Sequence, residues 1–149
     1  MDTVKKATIT VEATINVPVE KVWKYWTEPQ HITMWSFASD DWHAPFAEND
    51  LKVGGTFLTR MEAKDKSFGF DFGGVYNEIK INEFIFYTLG DGRKVTVTFN
   101  SQERDTKVIQ IFEAEASHSI EQQKAGWQAF LDNFKKYSEL SHGNLKGGL

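Results

Sequence analysis

The C-terminal part of the chain carries the strongest constraint on the fold. Ile120, Gln123, Trp127, Phe130, Leu131, Phe134 and Tyr137 recur at helical spacing and share one face. Ser119, with Gln122 three residues on, is a capping-box start. The helix is expected to reach about Leu140, a length of ~30 Å at 1.5 Å per residue. One long apolar face needs a surface to bury it, and the rest of the chain supplies strands rather than a second long helix.

Ala7 to Val17 alternate apolar and polar, which predicts a strand with one wet face. Pro18 stops that ladder and suits a helix start. Val19, Val22, Trp23 and Trp26 then sit at i, i+3, i+4 and i+7, a short amphipathic helix. Pro29 ends or bends it, and Gln30 to Trp35 reads as a second short helix. Ser36 to Asp50 reads as mostly irregular.

From Leu51 to Ala116 the pattern is strands. A four-residue loop Lys64-Asp65-Lys66-Ser67 pairs Ala63 with Phe68, Met61 with Phe70 and Thr59 with Phe72, all facing one way. Arg60 and Asp71 then oppose each other on the other face, beside Glu62, as a cross-strand ion pair. After Gly73-Gly74 the apolar parity shifts to Val75, Ile79 and Ile81, which predicts a bulge there. Asp91-Gly92 as a two-residue hairpin loop pairs Phe86 with Val97 and Phe84 with Phe99 on one face, leaving Ile85 and Tyr87 on the other. Lys107 to Ala116 is ambiguous. Val108, Gln110, Phe112 and Ala114 are taken as inward, because the other face ends in Glu113 and Glu115.

Composition narrows the function classes. At 149 residues one domain is expected, 1–140, with a frayed glycine-containing tail over 141–149. There is no cysteine, which excludes a disulfide scaffold and a thiolate nucleophile and fits a reducing, cytoplasmic setting. A net charge of −4 argues against nucleic-acid binding, which needs a basic face. No apolar run approaches a membrane span. The aromatic fraction of 14%, with 12 Phe and 5 Trp, is the unusual number. These rings fill or line something.

The order is strand, two short helices, a run of antiparallel strands and one long helix. With aromatics facing inward, it resembles the helix-grip (START-like, SRPBCC) superfamily. Several motifs narrow this to the family of activator-of-heat-shock-90-ATPase homologues. They include Trp42-His43-Ala44-Pro45, Val53-Gly54-Gly55, Gly69-Phe70-Asp71-Phe72-Gly73-Gly74 with Tyr76, and Asp91-Gly92-Arg93. Gly126-Trp127-Gln128-Ala129 and Asn133-Phe134-Lys135-Lys136-Tyr137 match it best. The resemblance implies an α+β fold: a curved antiparallel sheet of about seven strands around the C-terminal helix, with two short helices after the first strand. It also implies an internal cavity in many members and no settled activity.

Candidate lining residues for such a cavity are Trp26, Trp35, Trp42, Phe57, Met61, Phe70 and Phe72. Phe86, Phe99, Phe112, Trp127, Phe130 and Phe134 complete the ring set, and core packing is the plainer reading of any one of them. Tyr76, Gln110 and Arg93 are the polar groups to test for orienting a ligand, although Arg93, after its turn, is the one expected to be solvated. Gly126 inside a helix suggests that a strand or a ligand approaches closely. His43, beside Asp40 and Asp41, is the one candidate base, but these residues are adjacent rather than on one helical face, so neither a metal nor a catalytic site is assigned.

The expected function is binding of a hydrophobic or aromatic small molecule between sheet and helix, with no cofactor. Two alternatives stand. One is a co-chaperone-like module for an ATPase, using Arg60, Glu62 and Asp71. The other is a cyclase- or isomerase-type enzyme using His43 or Tyr76. A free edge at the first strand is compatible with a monomer or a weak dimer.

Overall fold

In a computed structural model, residues 7–147 are described. Strand β1 (Thr8–Ile15) is followed by helices α1 (Val19–Thr27) and α2 (Pro29–Ile32). Six strands follow: β2 (Trp42–Asn49), β3 (Thr56–Ala63), β4 (Gly69–Lys80), β5 (Phe84–Leu89), β6 (Lys94–Gln102) and β7 (Asp105–Glu113). Helix α3 (Ile120–Gly147) closes the chain. All seven strands form one antiparallel sheet in the order β1-β7-β6-β5-β4-β3-β2, gripping α3 on its concave face. This is the expected helix-grip architecture.

Local chemistry explains most of these elements. In β1, Ile9, Val11 and Ile15 are buried while Thr8, Thr10, Glu12 and Thr14 face water. Pro18 precedes α1, and Pro29 starts α2 at the first helical position, where its missing N–H costs nothing. At the start of α3 the Gln122 N–H donates to Ser119 Oγ (3.0 Å) and the Ser119 N–H to Gln122 Oε1 (3.1 Å). That is the reciprocal capping box. The stretch expected to fray is helical through Gly147, and residues 148 and 149 lie outside the described residues. A helix already propagating tolerates one interior glycine such as Gly143 at a cost of only ~1 kcal/mol.

The β3–β4 register is as read, with Met61 opposite Phe70 and Thr59 opposite Phe72. Arg60 faces Asp71 on the convex side, Nη1 to Oδ1 3.3 Å, and its Nε donates to Glu62 (3.0 Å). The parity shift in β4 comes later than expected. Pairing with β5 slips between Tyr76 and Glu78, so Asn77 is the bulged residue. Tyr76 therefore keeps the phase of Phe72 and is buried, while Val75 faces out. Gly73 serves close approach instead, since a Cβ there would lie 2.6 Å from the Phe57 carbonyl oxygen.

Two readings are corrected. The segment expected to be irregular contains edge strand β2, whose register breaks between His43 and Phe46, around Pro45. A proline and a bulge are tolerated on an edge, and they erase the alternation that reveals a strand. The β5–β6 loop has three residues, Gly90-Asp91-Gly92, not two. The Gly92 N–H donates to the Leu89 carbonyl (2.9 Å), Gly92 takes φ +92°, and Leu89 meets Arg93. This is a type I turn closed by a left-handed glycine. The slip of one residue exchanges the faces. Phe86 now opposes Thr96 and Phe84 opposes Thr98 on the outer face, while Ile85, Tyr87 and Leu89 point in.

Candidate functional site

The concave face and α3 do not meet everywhere. At one end, rings close the gap. Trp26 packs on Phe134 and Trp35 (4.8 and 5.0 Å between centroids) and edge-on to Phe99 (5.8 Å). Trp35 meets Phe134 at 4.8 Å, and Trp23 meets Phe99 at 5.2 Å. Asn133 on α3 ties this end by donating to the carbonyls of Trp35 (2.9 Å) and Phe37 (3.3 Å). Toward the β5–β6 turn the gap opens into a cavity of about 270 Å³. Trp26, Ile32 and Trp35 form its closed end, and Phe57, Met61, Phe70, Phe72 and Ile85 form its sheet wall. Trp127, Phe130 and Leu131 are its helix wall.

The polar groups fall into sets that the folding places one by one. The Tyr76 hydroxyl, held inward because the bulge comes after it, donates to Asn49 Oδ1 (2.5 Å). Asn49 at the end of β2 donates in turn to the Thr27 carbonyl (2.6 Å). Tyr87, next to Tyr76 across β4–β5, lines the cavity together with Gln110 of β7. Ser36, Glu48, Thr59 and Arg93 complete the lining. Burial pushes the Tyr76 phenol well above its ordinary value, against a smaller opposing effect from Asn49. Burial does the same to Tyr87, aided by Tyr76 and opposed by Gln110 and Arg93. Both phenols therefore stay protonated at neutral pH and act as hydrogen-bond donors, not bases.

Of the candidate residues, the structure brings Trp26, Trp35, Phe57, Met61, Phe70, Phe72, Tyr76, Gln110, Trp127 and Phe130 to this cavity. Five fall elsewhere. Phe99, Phe112 and Phe134 are packed core; Phe112 lies under Trp127, stacked at 3.8 Å and 10°. Phe86 is on the convex face because of the odd-length turn. Trp42 packs against the exposed Phe68 and Phe70 (6.0 and 5.8 Å) without lining the cavity. Phe70 is 40% exposed and also lines the cavity, which puts it at the mouth.

Sequence reasoning missed Tyr87 and Ile85 through the loop length, and Asn49, Glu48 and Ser36 through the unrecognised β2 region. A signal for the first existed. Gly-Asp-Gly carries glycine at the left-handed position of a three-residue hairpin. Arg93 was expected in solvent, yet it continues the inward parity of Val95, Val97 and Phe99. His43 sits outside the cavity, opposite Glu62 on the β2–β3 ladder with Nε2 3.8 Å from its carboxylate. Gly126 meets no heavy atom within 4 Å of where its Cβ would be, so neither strand nor side chain crowds it. Among the described residues no group of three His, Cys, Asp or Glu is placed to hold a metal, and no helix is long and apolar enough to cross a membrane.

Comparison with known proteins gives a consistent picture. Residues 16–139 match the family model described as Activator of Hsp90 ATPase homolog 1-like protein. The chain is similar to an AHSA1-like protein from Aeromonas hydrophila at 43% identity and TM-score 0.87, covering 91% of this chain and 94% of that one. It is similar to a protein of Cytophaga hutchinsonii at 52% identity and TM-score 0.78, covering 90% and 93%. A Chromobacterium violaceum protein at 23% identity and TM-score 0.79, covering 89% and 97%, shares the fold. Comparison with the curated proteins finds no match.

Proposed function

The chain belongs to the Activator of Hsp90 ATPase homolog 1-like family, and on that premise we propose that it binds a hydrophobic or aromatic small molecule between the sheet and α3. The observation that carries this reading is the aromatic-walled cavity of about 270 Å³ with a few convergent polar groups. Most of its wall is ring or aliphatic surface, which supplies area and stiffness. Tyr76, Tyr87 and Gln110 supply orientation.

The alternatives draw less support. The charges that a partner ATPase would need, on Arg60, Glu62 and Asp71, are engaged with one another on the convex face. An acid–base enzyme would need a base, but Tyr76 is held protonated and His43 lies outside the cavity.

The test is native mass spectrometry of the gently purified protein, with a thermal-shift panel of fatty acids, flavonoids and polyketide-like aromatics. A co-purified mass, or a shift equivalent to ~2.7 kcal/mol at a hundredfold excess over Kd, is the expected result. Phe70→Ala and Trp127→Ala then abolish or strongly weaken that binding. Unchanged affinity in both variants overturns the reading.

A further inference from the structure

Resting on that reading, we propose that the ligand is a small organic carboxylate. Its carboxylate sits on the guanidinium of Arg93, and its one- or two-ring apolar body lies against Phe57, Phe72 and Trp127.

Arg93 follows the Gly90-Asp91-Gly92 turn on the concave side of the sheet, in phase with the buried Val95 and Val97 of β6, and lines the cavity. The side chain is only 21% exposed. Asp91 grips it from the turn: Oδ1 accepts the Arg93 backbone N–H (3.1 Å) and Oδ2 accepts Nε (2.9 Å). That grip orients the side chain and uses one donor. The two terminal NH₂ groups have no partner among the described residues. A guanidinium held by Nε presents its end as a two-nitrogen fork, which matches a carboxylate bidentately.

The surroundings agree. The charge of Arg93 is felt at the Tyr87 hydroxyl inside the cavity. Glu48, the acidic side chain of the lining, stands on β2, with β3, β4 and β5 between it and the strand of Arg93. An apolar cavity of ~150 Å³ takes up benzene. A volume of about 270 Å³ therefore suits a bicyclic acid, or a ring on a short chain, better than a long-chain lipid.

The experiment titrates the full chain calorimetrically with three matched pairs of acid and primary amide. The pairs are 2-naphthoate with 2-naphthamide, 3-phenylpropionate with 3-phenylpropionamide, and octanoate with octanamide. At least one acid is expected to bind about tenfold or more tighter than its amide, with an aromatic acid ahead of octanoate. In Arg93→Gln the preference falls to within about twofold while the amide keeps its affinity, and Arg93→Lys recovers only part of it. The wild-type comparison stands even where a variant folds poorly. Amides that bind as well as their acids overturn this proposal and leave the cavity reading in place. Binding of none of the six overturns both.

Discussion

The two ends of the space between sheet and α3 are built from the same residue types, ring against ring at both, and differ in whether volume is left between sheet and helix. At the closed end Trp26 meets Phe99 and Phe134 edge to face, Trp35 meets Phe134 in the same way, and Phe134 is fully buried. At the open end Phe57, Phe72, Tyr76, Tyr87 and Trp127 line a wall and leave volume in front of it. The closed end also receives α1, α2 and the Asn133 clamp, whereas at the open end Trp127 and Phe130 of α3 face the sheet across the void. Aromatic content therefore does not distinguish a core from a cavity. What covers the rings does.

The largest expected effect tests this difference directly. Phe134→Ala removes a ring from the closed end and should cost ~3–5 kcal/mol in chemical denaturation, a large part of a typical domain's stability. Phe70→Ala should cost about 1–2 kcal/mol, because the ring is already part-exposed and borders empty space. Equal costs would mean that the two ends are packed alike. Next comes Tyr76→Phe. It leaves Asn49 Oδ1 without its donor and should cost about 1–3 kcal/mol. A neutral result would show that water takes over that hydrogen bond.

The architecture was legible because its signals are long. The alternation in β1 and the stripe from Ile120 to Tyr137 each repeat enough to outweigh local noise, and the β3–β4 register followed from a four-residue loop. The site was legible only in part. Ten of its lining residues are legible from helical spacing and strand parity, but parity depends on loop length. Reading Gly90-Asp91-Gly92 one residue short sent Phe86 inward and Ile85 and Tyr87 outward. Strand β2 was lost for another reason. An edge strand interrupted by Pro45 has neither two partners nor clean alternation to advertise it. Sequence also cannot separate Phe112, which lies beneath Trp127, from Phe72, which faces the void. Both have inward parity.

Gly126 sharpens the same contrast from the helix side. On α3 the stripe that contains Phe130 and Asn133 passes through Gly126. At Asn133 it is clamped, at Phe130 it lines the cavity, and at Gly126 nothing lies within 4 Å of an added Cβ. With helical geometry and open space, Gly126→Ala should raise stability by about 0.5–1 kcal/mol. A loss of stability instead would mean that the backbone at Gly126 is approached closely after all.

The smallest effect concerns how the closed end is tied down beyond its rings. Glu139 on α3 accepts the Asn16 backbone N–H through Oε2 (2.9 Å) and Lys135 Nζ through the same oxygen (2.6 Å), while Lys135 also donates to the Thr14 carbonyl (2.6 Å). The C-terminal half of α3 is thereby stitched to the end of β1. Burial alone would raise the Glu139 carboxyl, but the hydrogen bonds from Lys135 and Asn16 outweigh it, and the group titrates below its ordinary value of 4.5. The linkage has a definite sign. The unfolded chain takes up this proton first, so the contribution is complete above about pH 4.5 and is lost as pH falls through the lower folded value. Urea midpoints measured between pH 6 and 3 should fall less steeply toward acid in Glu139→Gln than in the wild type. Because the amide can still accept from Asn16, the two curves should converge at the acid end. The same substitution should leave the open end, and any ligand bound there, unaffected. A loss of ligand affinity in Glu139→Gln would show that the two ends are mechanically one unit.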